Sequence, residues 1–177
     1  MSEGDPDRDE PNIGWSRDVS RADDAVRFFI ENVDASYISH GELQGGRAID
    51  ADAWSTSLPE KLKQEILAAM TGAPSCSIGR SRRIALLEID GVIGALAMVA
   101  FHQEAFAYAI LDDLVVSRSH RGLGVGQSLL RWIENECRTR GIKRLFLESG
   151  AGNHRAHHFF EMQSYNIVSH VMMKNLF

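Results

Sequence analysis

The chain has 177 residues, of which 44% are hydrophobic, and a formal net charge of −5 at pH 7. This length fits one compact domain that buries a sizeable core without disulfide bonds. Residues 1–12 contain five acidic residues and one arginine, a charge of −4, which leaves −1 for the rest of the chain. A nearly neutral body without a basic patch gives no indication of a nucleic-acid-binding surface.

The first 12 residues differ in composition from the rest. They contain two prolines and, apart from Met1, no large apolar residue, so they are predicted to form a disordered acidic tail. Residues 13–177 are expected to form a single domain. Cys76 and Cys137 lack metal-ligand spacing, and no metal site is expected. The sequence shows no long apolar span and no signal peptide, which favours a soluble, cytoplasmic protein.

The residue pattern of the first two thirds predicts alternating helices and strands. A helix opens at Ser20, and a capping box at Ser57 opens another that runs to about Met70. Asp90-Gly91 is a dipeptide favoured in hairpin turns. The predicted elements are, in order, strand 13–19, helix 20–30, two short helical pieces within 35–56, helix 57–70, and strands 84–89, 92–101 and 106–116.

The last third continues this alternation. A helix over 127–140 carries an inward apolar stripe and stops at Gly141. A short buried strand over 145–147, a helix over 153–163 and a last strand over 167–173 follow. The stripe consists of Val125, Leu129, Leu130, Ile133 and Cys137. The order predicts a mixed α/β fold with helices on both faces of a mostly antiparallel sheet.

A glycine-rich loop, Arg121-Gly122-Leu123-Gly124-Val125-Gly126, lies between the strand ending in Leu114-Val115-Val116 and the helix that starts near Gln127. Glycines lack side chains, so successive backbone N–H groups can approach an anion. The N-terminus of the following helix also favours negative charge, and Arg121 can add a charge-assisted contact. The loop predicts a phosphate-bearing cofactor, unless its glycines only make a sharp strand-to-helix turn.

Two well-known glycine-rich loops do not match this segment. A dinucleotide-binding fingerprint would place glycine at the position of Gln127 and belongs in an early βαβ unit. A P-loop requires Gly-Lys-Ser/Thr, and no such tripeptide follows.

Two segments together resemble a known family. Arg121-x-x-Gly124-x-Gly126, after a Leu-Val-Val strand and before an amphipathic helix, resembles the pyrophosphate loop of the GNAT superfamily of N-acetyltransferases. Downstream, Asn153-x-x-Ala156-x-x-Phe159-Phe160-Glu161 is similar to that superfamily's Asn-x-x-Ala-x-x-Phe-Tyr-Glu segment. The resemblance is specific over roughly residues 92–177 and only topological before them.

The resemblance implies acetyl-CoA as the cofactor, with its pyrophosphate on the loop and its thioester near Asp112 and Asp113. It also implies that the pantetheine arm pairs with strand backbone in the manner of an added β-strand. The residues implied to bind the cofactor are Leu114, Val115, Val116, Arg121, Gly122, Leu123, Gly124, Val125, Gly126, Gln127, Asn153, Ala156, Phe159 and Phe160.

Acetyl transfer to an amine requires a group that takes a proton from an alkyl ammonium with a pKa of about 10. Asp112 matches the position of a catalytic carboxylate in the polyamine and aminoglycoside members of the superfamily, so it is predicted as base or amine anchor, with Asp113 in reserve. Strand alternation is expected to point the two side chains to opposite faces. Either aspartate is alternatively a strand-end cap or an ion-pair partner.

One departure from the superfamily pattern concerns the general acid. The tyrosine proposed to protonate the leaving thiolate falls at Phe160, which has no proton to donate. His157, His158 and Tyr165 are the substitutes nearby. Because a thiol has a pKa of about 8.5, its anion is a tolerable leaving group, and losing the acid costs at most about 10²–10⁴-fold in rate.

Residues between 35 and 56 occupy the region where relatives build the acceptor wall. Tyr37, His40, Glu42 and Trp54 are predicted to form a pocket with an aromatic wall and a carboxylate for a small cationic primary amine. The alternative is a surface loop with a capping histidine.

The sequence therefore predicts an acetyl-CoA-dependent N-acetyltransferase that acts on a small-molecule amine, without a nucleic-acid or membrane partner. A protein or peptide N-acetyltransferase stays open, as does a catalytically weak acyl-CoA-binding regulatory domain, which Phe160 favours. The apolar residues of the last predicted strand are compatible with a homodimer.

Overall fold

The computed structural model describes residues 12–73, 80–103 and 106–176. They form two compact units: unit 1 holds residues 12–32 and 59–147, and unit 2 holds residues 33–58 and 148–176. The strands are β1 (Asn12–Trp15), β2 (Ala48–Asp50), β3 (Ala53–Trp54), β4 (Arg80–Ile89), β5 (Val92–His102), β6 (Tyr108–Val116) and β7 (Leu145–Leu147). The helices are α1 (Ala22–Asn32), α2 (His40–Gly45), α3 (Leu58–Thr71), α4 (Val125–Thr139) and α5 (His154–Met162).

Unit 1 contains a five-stranded sheet in the order β1-β4-β5-β6-β7. Neighbouring strands are antiparallel, except β6 and β7, which are parallel. β5 lies at the centre, and its residues from Ile93 to Phe101 are buried, as expected of a strand covered on both faces. The prediction of a mixed α/β fold with a mostly antiparallel sheet and flanking helices is confirmed.

The β4–β5 hairpin turns at Asp90-Gly91, where φ is 51° and 76°. Two successive positive φ angles are typical of a type I′ turn, whose twist matches that of the flanking strands. The turn predicted from this dipeptide is confirmed. It places Ile89 opposite Val92 as the first residue pair of the β4–β5 hairpin.

A β-bulge interrupts the pairing of β5 with β6. Val99 opposes Leu111, whereas the preceding Met98 opposes Asp113, so Asp112 is the extra residue of the bulged strand. Directly opposed side chains share a face of the sheet. Without the bulge, the side chains of β6 would alternate between the two faces of the sheet. The extra residue shifts this alternation by one, so the residues of β6 after the bulge lie on the opposite face from the one that alternation predicts.

Helix α4 packs its apolar stripe against β5 and β6. Leu129, Leu130, Ile133 and Cys137 are buried, as their spacing predicts, and Gly141, with a φ of 71°, follows the helix end. Burial raises the pKa of the Cys137 thiol to about 11, so this cysteine stays a protonated thiol at neutral pH.

Trp15 joins β1 to α4. Its Nε1 donates to Glu136 Oε2 at 2.6 Å, and the same oxygen accepts from Arg140 Nη2 at 2.7 Å. The indole ring packs on Phe101 and Trp132, with centroid distances of 5.7 and 5.0 Å. These contacts hold the edge strand of the sheet to the helix.

Unit 2 contains α2, α5 and the two-stranded sheet of β2 and β3. A capping box begins α2: Ser39 Oγ accepts from Gly41 N–H, and Glu42 Oε2 accepts from Ser39 N–H at 2.8 Å. Asn153 caps α5, since its side chain accepts from Ala156 N–H at 3.1 Å. Both helices therefore start where local capping chemistry places them.

Two sequence expectations differ from the structure, and a third falls almost wholly outside the described residues. The strand predicted over 13–19 is shorter, because Asp18 caps a 3-10 turn over Val19–Arg21. The predicted tail 1–12 lies outside the described residues, except that Asn12 begins β1. The last strand predicted over 167–173 is wrong, since residues 165–176 have no regular secondary structure. An alternating pattern forms a strand only where another strand supplies hydrogen-bond partners.

The C-terminal segment 165–176 exposes several large apolar side chains. They are Ile167, Val168, Val171, Met172, Met173 and Leu176. Among the described helices, none combines the length and apolar character needed to span a membrane.

Ser164 lies in the left-handed region, with a φ of 67°, at the end of α5. Tyr165 N–H bonds to Phe160 O, and Ser164 N–H bonds to Glu161 O, which is the Schellman pattern that favours glycine. We expect Ser164→Gly to keep or raise the free energy of unfolding by up to about 1 kcal/mol, and Ser164→Val to lower it by about 1–2 kcal/mol. Urea unfolding measures the free energy of unfolding of both variants. Equal free energies with serine, glycine and valine at position 164 would contradict backbone strain at this residue.

Candidate functional site

In unit 1, β6 continues past its neighbour β7. The parallel pairing ends with Leu111 opposite Leu147, whereas β6 continues to Val116 and stays paired with β5. The strand residues predicted to bind the cofactor, 114–116, lie in this continuation. β6 therefore carries the chain beyond the last β7 pair before the glycine loop begins.

The glycine loop requires glycine at two positions. Gly122 and Gly124 have φ angles of 78° and 83°, and a Cβ added at either would meet nothing within 4 Å. The glycines are thus required by the backbone conformation and not by lack of space. Both are exposed, as is Leu123 between them, so a ligand can approach the loop backbone from solvent.

Helix α4 starts directly after this loop without a side-chain cap, because its N-cap residue is Gly124. Ser128 N–H makes the first helical bond, to Gly124 O at 2.9 Å. The first turn of α4 contains no acidic residue that would repel an anion. The positive end of the helix dipole favours a bound phosphate at such a terminus. Residues 121–127 therefore form a loop that favours a bound anion, and their contact with a cofactor pyrophosphate stays a prediction.

Arg121 anchors the loop to two other elements. Its Nε donates to the carbonyl of Val116, which ends β6, at 3.3 Å, and its Nη2 donates to the carbonyl of Asn32, which ends α1. The side chain of Asn32 also accepts from Arg118 N–H at 2.8 Å. The guanidinium therefore positions the loop. The charge-assisted cofactor contact expected of Arg121 stays a prediction.

The two aspartates of β6 do not alternate as expected. Asp112 Oδ2 lies 2.8 Å from Arg82 Nε, and Asp113 opposes Met98. Met98 also opposes Ile84, which is two residues along β4 from Arg82, so Arg82 and Asp113 share a face. The expectation of opposite faces is wrong, because the bulge adds a residue between the regular pairs.

This arrangement changes what each carboxylate can reach. Asp113 is only 1% exposed, and the Asp112 side chain is 16% exposed and held by Arg82. The ion pair ties β4 to β6 across β5 at the bulge. The catalytic roles of both aspartates stay predictions, and Asp112 has a structural partner in addition.

The predicted acceptor residues all lie in unit 2. Tyr37 and Trp54 pack together, with ring centroids 6.3 Å apart. Glu42 is buried: it accepts from the N–H and Oγ of Ser39, and its Oε1 lies 3.7 Å from Arg47 Nη1. The Glu42 carboxylate therefore closes the N-terminus of α2, and its contact with a cationic acceptor stays a prediction.

His40 contacts a carboxylate that the sequence did not indicate. Its Nδ1 lies 2.8 Å from Oε2 of Glu148, whose side chain is 49% exposed. Gly150 brings the segment after β7 against the chain before α2, since a Cβ on it would lie 2.3 Å from Ser36 O and 2.5 Å from Ile38 O. Only glycine fits there, because the facing atoms belong to the backbone.

Helix α5 carries the second predicted cofactor segment, also in unit 2. Asn153 serves as the N-cap, bonded to Ala156 N–H. The ring centroids of Phe159 and Phe160 are 5.1 Å apart, and Phe160 packs on Tyr165 at 5.5 Å. The cofactor contacts implied for these residues stay predictions.

The chain matches a known family over most of the elements described above. The model of the acetyltransferase (GNAT) family matches residues 46–165, more than half of the chain. The chain belongs to the GNAT acetyltransferase family. The match spans β6, the glycine loop, α4 and α5, which are the elements that carried the resemblance in the sequence.

Solved structures share the GNAT fold with this chain at low sequence identity. A mutant of the BH1408 protein from Bacillus halodurans is 16% identical with a TM-score of 0.71, covering 94% of this chain and 99% of that one. Ribosomal-protein-alanine N-acetyltransferase from Brucella melitensis is 13% identical, with a TM-score of 0.60 and coverages of 93% and 100%. Glucosamine-6-phosphate N-acetyltransferase from Arabidopsis thaliana is 16% identical, with a TM-score of 0.58 and coverages of 95% and 99%. No curated protein sequence matches the chain.

Sequence reasoning missed three residues of the GNAT protein. One is Arg82, which contacts Asp112. The second is Asn32, which accepts from the N–H of Arg118 just before the loop, and the third is Glu148, which contacts His40. None carries a local signal, because each partner is distant in sequence.

The close approach at Gly150 makes a testable prediction. Gly150→Ala should lower the free energy of unfolding by roughly 1–3 kcal/mol, because the added methyl group meets two backbone carbonyls that cannot yield without moving the chain. Gly152→Ala is the matched control, since a Cβ there meets nothing within 4 Å. Urea unfolding compares the variants, and equal losses would contradict the close backbone contact as the cause.

Proposed function

We propose that this GNAT family member is an acetyl-CoA-dependent N-acetyltransferase that moves an acetyl group to a primary amine of a small cationic acceptor. The observation that carries the proposal is the loop after β6. Gly122 and Gly124 hold an exposed backbone in a conformation that requires glycine, and α4 begins there without a side-chain cap. An exposed glycine backbone at a helix N-terminus supports the assignment of a pyrophosphate site.

In this proposal the loop residues 121–127 bind the pyrophosphate, and strand residues 114–116 pair with the pantetheine arm. The extension of β6 beyond β7 supports the second assignment. Asn32 and Arg121 keep the loop in place, so the backbone amides are positioned before the ligand arrives. When bound, acetyl-CoA supplies the activated acetyl group and a thiolate leaving group.

The acceptor class is inferred from this chain's own side chains. The structurally similar N-acetyltransferases carry names that indicate unlike acceptors, a ribosomal-protein alanine and an amino-sugar phosphate. Here the aromatic pair of Tyr37 and Trp54 belongs to the same unit as the half-exposed carboxylate of Glu148. Aromatic faces and a carboxylate favour a cation, which supports a small ammonium-bearing acceptor.

Phe160 supports a second candidate, an acyl-CoA-binding regulatory domain with weak catalysis. It packs between Phe159 and Tyr165 and has no proton for a leaving thiolate. A protein or peptide acceptor is the remaining alternative. The homodimer expected from the sequence also stays a prediction, for which the exposed apolar residues within 167–176 are the candidate contact.

Ligand-dependent thermal shift tests the cofactor site. Acetyl-CoA at about 100 times its dissociation constant should stabilise the protein by roughly 2.7 kcal/mol, and NAD should not. Gly124→Ala should weaken acetyl-CoA binding by about tenfold, because the new side chain disfavours the left-handed backbone by about 1–2 kcal/mol.

Gly14→Ala in β1 is the matched control, since its Cβ meets nothing within 4 Å and its φ is not positive. It should keep the affinity for acetyl-CoA. Stabilisation by NAD instead of acetyl-CoA would overturn the assignment of the cofactor.

A steady-state panel of acceptors tests the reaction. Small diamines and amino sugars should be acetylated with a higher kcat/KM than neutral amines or peptide N-termini, because the proposed acceptor site is aromatic and acidic. CoA release measures turnover, and mass spectrometry locates the acetyl group. Turnover confined to peptides would favour the alternative acceptor, and acetyl-CoA binding without turnover would favour the regulatory domain.

A further inference from the structure

Three arginines of unit 1 form an arginine cluster at the end of α4 that is away from the glycine loop. Arg17 follows β1, Arg83 lies in β4, and Arg140 is the C-cap of α4. From Gly124 to Arg140 the helix advances about 24 Å, at 1.5 Å per residue. The arginine cluster is therefore separate from the loop assigned to the cofactor.

The strand register brings two of these arginines together. β1 pairs with β4 in one antiparallel register, and just beyond the strand Ser16 N–H donates to Ile84 O at 2.9 Å. The same register sets Arg17 opposite Arg83. Directly opposed like charges destabilise an antiparallel pair. The two arginines therefore lower the stability of the sheet edge, and an anion bound between them would reverse that effect.

Aromatic rings orient two of the guanidinium groups. The guanidinium carbons of Arg83 and Arg140 lie 5.9 and 5.6 Å from the ring centroid of Trp15. Arg140 also lies 4.7 Å from the ring centroid of Phe101. Contact with an aromatic face stabilises a guanidinium without using its N–H groups as hydrogen-bond donors. The rings therefore hold the groups in place before any anion arrives.

One carboxylate faces the arginine cluster. Glu136 Oε2 accepts from Arg140 Nη2 at 2.7 Å and from Trp15 Nε1 at 2.6 Å. Within the described part of the chain, the guanidinium groups of Arg17 and Arg83 have neither an ion pair nor a hydrogen bond. Three positive charges against one negative charge leave the cluster with an excess of positive charge.

The surroundings of Arg83 are unfavourable for its own charge. Burial, followed by the charges of Arg140 and Arg17, lowers the pKa of the Arg83 guanidinium from its ordinary value, and Glu136 opposes this shift only in part. An arginine stays protonated at neutral pH even so. A bound anion would offset the repulsion that acts on this half-buried charge.

We propose that Arg17, Arg83 and Arg140 form an anion-binding site of this protein, which takes a phosphate or carboxylate group. A guanidinium presents parallel N–H donors that match two oxygens of either group, so the ligand is an oxyanion. The site borders solvent, since Arg17 is exposed and the side chain of Arg140 is 22% exposed. The inference is independent of the proposed function, because acetyl-CoA binding is assigned to the other end of α4.

The same chemical group has two possible sources. One is a small phosphate-bearing or carboxylate-bearing molecule in solution. The other is the chain itself, because residues 1–12 contain five acidic residues and precede the strand that leads to Arg17.

Inorganic phosphate is the probe for the site. Thermal unfolding is measured in sodium phosphate and in sodium chloride at equal ionic strength, so that general screening is the same in both. Phosphate should raise the Tm of the wild type more than chloride does. Arg83→Gln should weaken phosphate binding by about tenfold or more, because a hydrogen bond to a charged group is lost. Arg131→Gln, at an exposed arginine of α4, is the matched control and should keep the response.

Arg17→Gln separates a binding role from a structural one. In chloride this variant should keep or raise the midpoint of urea unfolding, because it removes the like charge opposite Arg83. In phosphate it should lose the additional stabilisation that the wild type gains. An arginine with only a structural role would instead lower the midpoint equally in both salts, and that result would contradict the proposal.

A full-length variant with amides at the acidic N-terminal positions identifies the source of the anion. If the chain's own carboxylates occupy the site, this variant should lose stability in chloride and respond to phosphate more strongly than the wild type. Equal responses of the two proteins would identify the free anion as the ligand. The substitutions are Glu3→Gln, Asp5→Asn, Asp7→Asn, Asp9→Asn and Glu10→Gln.

Two further results would overturn the site. One is a phosphate response no larger than the chloride response in both the wild type and the amide variant. The other is a full phosphate response in Arg83→Gln, which would place the bound anion elsewhere. If that response is lost in Gly124→Ala, it belongs to the glycine loop. If acetyl-CoA fails to bind while the response still depends on Arg83, the proposed function fails and the anion site stands.

Discussion

The pairing of β6 with its two neighbours is the constraint on which the rest of unit 1 depends. β6 pairs with β5 as far as Val116, but with β7 only as far as Leu111. The hydrogen bonds to β5 hold the strand to its end, so the glycine loop begins at a fixed position. Helix α4 then starts with its N-terminus at that loop. A site for an anion follows from strand length and helix position together.

Polar contacts across unit 1 stabilise this arrangement at two points. The bulge at Asp112 lets its carboxylate reach Arg82 across β5, which connects three strands of the sheet. Asn32 and Arg121 connect the last residue of α1 to the loop and to the last residue of β6. Because these groups are part-buried, removing one partner leaves the other without its hydrogen bond, which costs more than an exposed pair would.

In unit 2, close backbone approach has the corresponding role. Gly150 lies against the chain that leads into α2, and this contact brings Glu148 to His40. In the capping box, Glu42 accepts from the N–H and Oγ of Ser39 and so closes the N-terminus of α2. The carboxylate that contacts His40 is the half-exposed Glu148.

Much of the fold and the conformation of the glycine loop was predictable because their signals are local. Asp90-Gly91 specifies its turn through backbone conformations that few other residues adopt, and Asn153 caps α5 through its own side chain. The glycines of the loop act in the same way, since positive φ is a property of the residue itself. The matched family extends over these same segments.

The tertiary structure alone decided the chemistry of the polar side chains. The bulge, which depends on how β5 and β6 pair, placed Asp112 and Asp113 on one face instead of two. The pairing of His40 with Glu148 depends on two segments far apart in sequence, and the segment 167–173, although patterned as a strand, forms none. A sequence determines which conformations each residue favours. Which distant groups meet depends on packing, because that choice is made by the whole core and not by any one segment.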